Sequence, residues 1–282
     1  MSTFGVGLVA YNMKSSDIEA LSVSFRNTEP RYQIVVDNSP TSKAKQIFEN
    51  LGWTYIHNPE NPGFGVSHNL IFELYSSRAN YHLIVNPDIT FSGDVVSMLV
   101  GFLNKNQQAG CVMPKVHFTD GRIQRSAKLL PSPIDWIGRR LPFSPFKKRI
   151  NQRLELHQAN YESGSFKAPF LSGCFLLFRS RVIDEIGFFD TRFFMYTEDT
   201  DLSRRLWIND TCPYFFGETS VCHREEKGSS KNIKLLKIHV ESAIRYFNKW
   251  GWIDRERRKI NNECLEQFKK EFNNVKETIE DD

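Results

Sequence analysis

Asp88, Glu198, Asp199 and His223 stand where metal and acid–base chemistry is done. Asp88 closes Asn86-Pro87-Asp88, directly after the apolar run Tyr81 to Val85. A carboxylate there faces the crevice at the carboxyl end of a sheet, where ligands bind. Its hard oxygens suit Mg²⁺ or Mn²⁺, although the tripeptide is also good turn chemistry. Glu198-Asp199, with Asp201 close behind, follows Phe193-Phe194-Met195-Tyr196-Thr197. Asp199 suits a general base that takes a proton from a hydroxyl. The aromatic run beside it would raise its pKa by desolvation. Carboxylates at a helix start also cap free N–H groups, so both roles stay open. His223 ends the strand-like run Thr219 to Cys222. A neutral imidazole can join a carboxylate at a divalent ion, while a lone histidine is more often structural. A cation, a base and a pocket at the sheet edge are what transfer from a nucleotide diphosphate to a hydroxyl requires.

A glycine-rich turn, Asn61-Pro62-Gly63-Phe64-Gly65, leads to Asn69. Its glycines can let backbone approach a ligand that Asn69 would hydrogen-bond; an ordinary strand-to-helix turn is the plainer reading. The third glycine of a dinucleotide fingerprint is missing, so the turn does not speak for NAD. No Gly-x-Ser-x-Gly elbow, Walker lysine loop or His-Glu-x-x-His occurs.

Alternating strands and helices must hold these groups. Val6 to Tyr11, Tyr32 to Val36, Trp53 to His57 and Tyr81 to Val85 read as strands. Between them, Ser16-Asp17-Ile18-Glu19 has the form of a capping box, Thr41 can cap a helix to Leu51, and the glycine turn opens a helix to about Ser77. The pattern predicts a mainly parallel, Rossmann-like α/β sheet flanked by helices. Asp37 follows the second strand as Asp88 follows the fourth. Beyond Gly110, residues 111–126 read as a hairpin and 130–165 as an irregular segment. Phe166 to Arg179 is a strand signal broken at Ser172-Gly173-Cys174. A short helix from Arg181 to Ile186, another from Asp199 to Asn209, and a longer one from Lys231 to Trp250 follow. The longest should bury Ile233, Leu236, Val240, Ile244 and Phe247. A charged helix runs from about Asp254. This organisation predicts a catalytic domain over 1–228, with a nucleotide half to about 110 and an acceptor half from 111, then helices over 229–282.

The 282 residues, 40% hydrophobic with 23 Phe, can bury one large core. A net charge of +4 is too mild for a dedicated nucleic-acid binder. The basic residues cluster, at Arg139-Arg140, Lys147-Lys148-Arg149 and Arg153, and again from Lys231 to Lys259. The clusters suit a solvated surface or anionic lipid headgroups. Five cysteines without a Cys-x-x-Cys pair argue against a disulfide framework and a cysteine zinc site. The start reads as a strand rather than a signal peptide, and no apolar stretch approaches a membrane span. A cytoplasmic protein, peripheral at the inner membrane, is the expectation.

Val35-Val36-Asp37-Asn38-Ser39, Asn61 to Gly65 with Asn69, Asn86-Pro87-Asp88, Ser172 to Leu177, Gly187-Phe188-Phe189-Asp190 and Phe194 to Leu202 occur in that order. The set resembles glycosyltransferase family 2, in particular its bacterial rhamnosyltransferase-like branch, over residues 5 to 250. The resemblance implies a GT-A fold and inversion at the anomeric carbon. It implies Asp37, with Asn38, Gly63, Gly65, Asn69 and Asn86, at the nucleotide. Asp88 takes the metal role of an Asp-x-Asp motif whose first position is Asn86 here, and His223 contacts Mg²⁺ or Mn²⁺ or the diphosphate. Asp199 is implied as the base, with Glu198 beside it. Ser172, Gly173, Cys174 and Tyr196 fall at the donor and acceptor pocket, where Arg204 or Arg205 would steady the leaving group. Gly121-Arg122, Arg125-Ser126 and Pro131-Ser132 suggest dTDP-L-rhamnose as donor; UDP-galactose, UDP-galactofuranose, UDP-glucose and GDP-sugars remain open. The branch builds O-antigen or capsule on polyprenyl-diphosphate or oligosaccharide acceptors, and Trp136, Trp250 and Trp252 suit contact with a bilayer. A nucleotidyltransferase would want a glycine-rich basic loop after the first strand, where Tyr11-Asn12-Met13-Lys14 stands. A non-catalytic binder would not need Asp37, Asp88, Asp199 and His223 together.

Overall fold

The structure, a computed structural model, describes residues 3–140, 146–224 and 233–280, with side chains to residue 269. The first half alternates as the sequence pattern predicts: β1 (Phe4–Ala10), α1 (Ser15–Phe25), β2 (Gln33–Asp37), α2 (Lys45–Asn50), β3 (Thr54–His57), α3 (Phe64–Tyr75), β4 (Tyr81–Val85), β5 (Ile89–Thr90) and α4 (Val95–Lys105). The second half is more broken: β6 (Cys111–His117), β7 (Ala127–Lys128), α5 (Pro133–Gly138), α6 (Lys147–Leu154), β8 (Ser165–Lys167), β9 (Phe170–Leu171), β10 (Phe175–Arg179), α7 (Ser180–Ile186), α8 (Glu198–Ile208), β11 (Pro213–His223), α9 (Ile233–Trp250) and α10 (Arg255–Glu280).

The main sheet has nine strands, ordered β3-β2-β1-β4-β10-β6-β11-β5, with β8 on β11. β1 to β4 are parallel, β10 runs antiparallel between β4 and β6, and β11 returns parallel to β6. Helices cover both faces, so strands such as β4 and β10 are buried along their whole length. The carboxyl ends of β2 and β4 therefore open on one edge, and β11 brings His223 to it: His223 pairs with Ile89, next to Asp88.

Several local expectations change. α1 begins at Ser15 and Lys14 caps it without a side-chain bond; the Ser16 hydroxyl turns to Asp17. α2 begins at Lys45, well past Thr41. The expected hairpin closes only through a bridge between His117 and Ile123, because β7 leaves to pair with β9. In α9 the buried face is Ser242, Ala243, Tyr246 and Phe247, while Ile233, Leu236 and Ile244 are exposed. The helix is turned to put Ser242 and Tyr246 against the acidic loop, so its apolar stripe only partly faces inward. Trp136 and Trp250 pack on the Phe193–Phe247 cluster instead of standing exposed; Trp252 is exposed. α10 inserts Ile260, Cys264 and Phe268 into the main core, and the Asn261 amide bonds both backbone groups of Leu130 at 2.9 Å. Pro142, Pro145, Lys231 and the expected boundary at 228 lie outside the described residues. No helix among the described residues is long and apolar enough to cross a membrane.

Candidate active site

The turn after β4 carries Asn86, Pro87 and Asp88. It is pinned from below, since the Asn86 N–H donates to the Cys174 carbonyl at 2.8 Å. Asp88 Oδ1 lies 3.2 Å from His223 Nε2. The other ring nitrogen, Nδ1, meets Gln124 Oε1 at 2.8 Å. With Gln124 accepting from Nδ1–H, the Nε2 lone pair is turned toward the Asp88 carboxylate. Two acceptors so placed are a donor set for a divalent cation, and a partner on the far nitrogen is how ligating imidazoles are held. Among the described residues no cluster of three or more His, Cys, Asp or Glu forms a closed metal cage. Mg²⁺ and Mn²⁺ fit such an open pair, because they keep waters and take phosphate oxygens as further ligands.

Asp199 lies across the Ser172–Cys174 segment. Its Oδ2 accepts from the Gly173 N–H at 3.0 Å and its Oδ1 from the Thr200 N–H at 2.7 Å. A Cβ on Gly173 would stand in ordinary contact with the Asp199 Cβ, 3.4 Å away, so the two backbones are close neighbours. Ser172 is fixed through its N–H to the Ser126 carbonyl at 3.0 Å. Burial pushes the Cys174 thiol up to about 12, and the charges of Asp88 and Asp199 push in the same direction. The same short segment meets the Asp88 turn through the Cys174 carbonyl and Asp199 through the Gly173 N–H.

Burial raises the Asp199 pKa, against the pull of the Gly173 and Thr200 N–H groups and of the Lys128 charge. Glu198 is buried, with Oε2 lacking a partner; burial, then the neighbouring Asp199 charge, lifts it well above the usual carboxylate range. Of two carboxyls held so close, only one ionises readily. The better solvated and hydrogen-bonded Asp199 is the one that carries charge.

The loop before this pair is strained. Tyr196 and Thr197 sit at φ of 69° and 63°, a region non-glycine residues avoid. Helix α9 holds them there. Ser242 Oγ donates to the Met195 carbonyl at 2.8 Å, Thr197 Oγ1 donates to the Ser242 carbonyl at 3.2 Å, and Tyr196 stacks on His239 with centroids 4.3 Å apart. Fully buried Asp201 receives Lys249 at 2.6 Å and the Trp250 indole N–H at 2.7 Å.

Other expected site residues are engaged elsewhere. Gly63, at φ 103°, lies against the Phe194 backbone, where a Cβ would come within 2.2 Å of a carbonyl oxygen; a Cβ on Gly65 would come within 2.9 Å of Phe189. These glycines admit the close approach of the loop before α8. Asn69 clamps Phe189, donating to its carbonyl at 2.7 Å and accepting from its N–H at 2.9 Å. Asn38 is buried against Ser67. Asp37, at the end of β2, accepts from the Ser39 N–H at 2.9 Å and the Tyr55 hydroxyl at 2.6 Å, and so builds the turn that rims the edge. Arg204 is buried, bonded to Asp254 and stacked 4.1 Å over Trp250. Arg205 ties Asp201 to the Ile186 and Gly187 carbonyls. Both guanidiniums fasten α8 to its neighbours, which corrects their expected place beside the leaving group. Sequence reasoning missed Gln124 and Lys128, which lie among Gly121-Arg122, Arg125-Ser126 and Pro131-Ser132 but belong to none of these pairs; only the fold brings them to His223 and Asp199.

Residues 6–187 match the family described as Glycosyl transferase family 2. The N-acetylglucosaminyl-diphospho-decaprenol L-rhamnosyltransferase of two Mycobacterium tuberculosis strains is 25% identical over 224 residues, covering 75% of this chain and 72% of the relative. GalNAc-T7, solved with UDP, GalNAc and Mn²⁺, superposes with a TM-score of 0.62 at 15% identity over 86% of this chain and 48% of that one. TarS of S. aureus gives 0.56 at 15% identity, over 93% and 43%. The mannosyltransferase PcManGT of Pyrobaculum calidifontis, with GDP-Man and Mn²⁺, gives 0.56 at 15% identity, over 86% and 64%. The chain spans about half the length of the first two structures. The likeness is one of fold, the GT-A arrangement of a mixed sheet between helices.

Proposed function

The chain belongs to glycosyl transferase family 2, and on that premise we propose that it transfers L-rhamnose, with inversion, from dTDP-L-rhamnose to a polyprenyl-diphosphate-linked or oligosaccharide acceptor in cell-surface polysaccharide synthesis. The observation that carries the reading is that the Ser172–Cys174 segment bonds both Asp199 and the turn whose Asp88 faces His223. The donor and acceptor classes draw support from the M. tuberculosis relative, named as an L-rhamnosyltransferase on a diphospho-decaprenol.

Asp88 and His223 would hold Mn²⁺ or Mg²⁺, with Gln124 fixing the imidazole. When bound, the ion neutralises charge on the departing diphosphate. Asp199, raised by burial toward a more useful basicity, accepts the acceptor hydroxyl proton as that oxygen attacks the anomeric carbon opposite the diphosphate. Glu198, held neutral, adds no second charge beside the base. Asp37 and its turn form the floor on which the nucleotide base rests.

UDP- and GDP-sugars are the competing donors, favoured by the nucleotides in two of the superposed structures. Thermal stabilisation by a panel of nucleotides with and without Mn²⁺ separates them, since a ligand of the folded state raises its apparent stability. A shift with dTDP-L-rhamnose that grows with Mn²⁺ is expected. A shift with UDP or GDP compounds alone overturns the donor; no shift with any nucleotide overturns the transfer reading for this chain.

A further inference from the structure

The side of the molecule behind the Tyr196 loop is unusual in composition. Helix α5 forms its centre, with α6 on one flank and α9 on the other. A Cβ on Gly138 would stand 2.7 Å from Ile150 of α6, and Arg153 of α6 bonds Asp135 of α5 at 2.5 Å. On the other flank, Trp136 meets the His239 ring edge-on with centroids 5.8 Å apart, and Arg140 lies 3.5 Å over Trp136 while its Nη2 reaches His239 Nε2 at 2.6 Å.

On these three helices large apolar side chains face water. Ile134 is 78% exposed, Ile137 51%, Phe146 65%, Ile233 86% and Leu236 44%. Soluble surfaces carry single exposed apolar residues freely, but a set on contiguous elements marks an interaction site. On α5 and α6 the charge around them is almost all positive. Between residues 133 and 154 the only acidic residue is Asp135, and it is spent on Arg153. Lys147, Lys148 and Arg149 are exposed, and none has a salt-bridge partner among the described residues. Apolar anchors among unpaired cations suit the boundary between anionic headgroups and acyl chains; a protein partner would have to be acidic and apolar on the same face.

We infer that α5, the start of α6 and the first turns of α9 form a docking surface for an anionic bilayer, which presents a membrane-held acceptor to the loop carrying Asp199. The inference rests on the proposed lipid-linked acceptor and deepens it. The link to the site is direct: His239, packed on α5, is the ring on which Tyr196 stacks. Of the basic residues on α5 and α6, Arg139, Arg140 and Arg153 are bound within the protein, and on α9 Lys237 lies beside Glu241, so the electrostatic part of docking falls mainly on Lys147, Lys148 and Arg149.

The test is co-sedimentation of the full chain with vesicles of phosphatidylcholine, alone or with about a third phosphatidylglycerol. Two variants accompany it, a triple Lys147→Gln, Lys148→Gln, Arg149→Gln and a double Ile134→Ser, Ile137→Ser. At roughly fivefold per basic residue, the triple variant is expected to partition about 100-fold more weakly onto the anionic vesicles. The wild type should bind these in low salt, release in high salt, and bind phosphatidylcholine alone weakly; the double variant should bind less to both. All the substituted side chains are exposed, so thermal stability and nucleotide-induced stabilisation should stay at wild-type values. A wild type that ignores anionic vesicles, or variants that bind as tightly as it does, overturns the inference. So does a wild type that is dimeric by light scattering while the double variant is monomeric, which makes the face a contact between copies. If nucleotides fail to stabilise all three proteins while vesicle binding follows the expected order, the donor reading has failed and the docking surface has not.

Discussion

His68 and His82 lie under the sheet with no exposure to water. Tyr32 Oη bonds His82 Nδ1 at 2.8 Å, while His82 Nε2 and both nitrogens of His68 have no partner. Burial holds both rings neutral, lowering His82 from 6.5 to about 3 and His68 well below 6.5. A base whose folded pKa is depressed gives up stability as pH falls below its unfolded pKa, because the unfolded chain takes the proton first. Each pKa unit corresponds to 1.36 kcal/mol, so at pH 5 His82 withdraws about 2 kcal/mol relative to pH 7.5. His68 acts with the same sign. Glu198, whose folded pKa is raised, acts with the opposite sign as pH falls, so the wild-type profile alone does not isolate either histidine. The difference between wild type and His82→Gln does. Gln leaves Tyr32 a polar partner, and whatever constant packing cost it brings is independent of pH. Urea unfolding followed by tryptophan fluorescence from pH 7.5 to 5 should show the wild-type advantage shrinking by about 2 kcal/mol. A difference that stays level across that range would refute the reasoning, since it would mean His82 titrates alike in both states.

Asp199→Asn should keep its fold and its nucleotide-induced stabilisation and lose turnover by about 10³-fold, the scale of a general base; near-normal rates in a transfer assay would remove Asp199 from that role. Gln124→Ala leaves the Asp88–His223 pair in place but frees the ring, so the Mn²⁺ concentration for half-maximal donor stabilisation should rise by about 10- to 100-fold; an unchanged Mn²⁺ titration would show that the imidazole needs no such holder. Gly63→Ala meets both a positive φ and the Phe194 carbonyl, so it should cost about 2 kcal/mol or more in chemical denaturation and lower kcat by displacing the loop before Asp199. A variant as stable and active as wild type would mean that the loop moves aside freely.

The fold was legible because its signals are local. Alternation of β-branched runs with helical stretches predicts parallel strands, although the expected caps of α1 and α2 do not form, and strand-end carboxylates predict the edge where Asp88 emerges. What stayed hidden depends on partners far along the chain. Asn69 looks like a ligand-binding amide until Phe189, distant in sequence, is seen to occupy both its functions. Arg204 and Arg205 sit one turn past the acidic pair, but their direction is set by Asp254 and by the end of α7. The stripe on α9 was visible as a pattern; which part of it is covered depends on how the helix rolls to reach Met195 and Thr197. Gln124 carries no motif at all, and a lone amide acquires meaning only beside an imidazole.

The grip of Ser242, Lys249 and Trp250 on the loop before Asp199 also bears on when the enzyme comes into being. Residues 193–201 leave the ribosome before α9 has been made, since synthesis runs from the N-terminus. Until α9 arrives, Tyr196 and Thr197 lack the contacts of Ser242 and His239, and Asp201 has Arg205 but neither Lys249 nor the Trp250 indole. The sheet and the Asp88 turn can form first, giving a nascent chain in which the proposed base is not yet fixed. On the proposed role of Asp199, competence for transfer then comes as a late step of synthesis, when α9 closes on the loop.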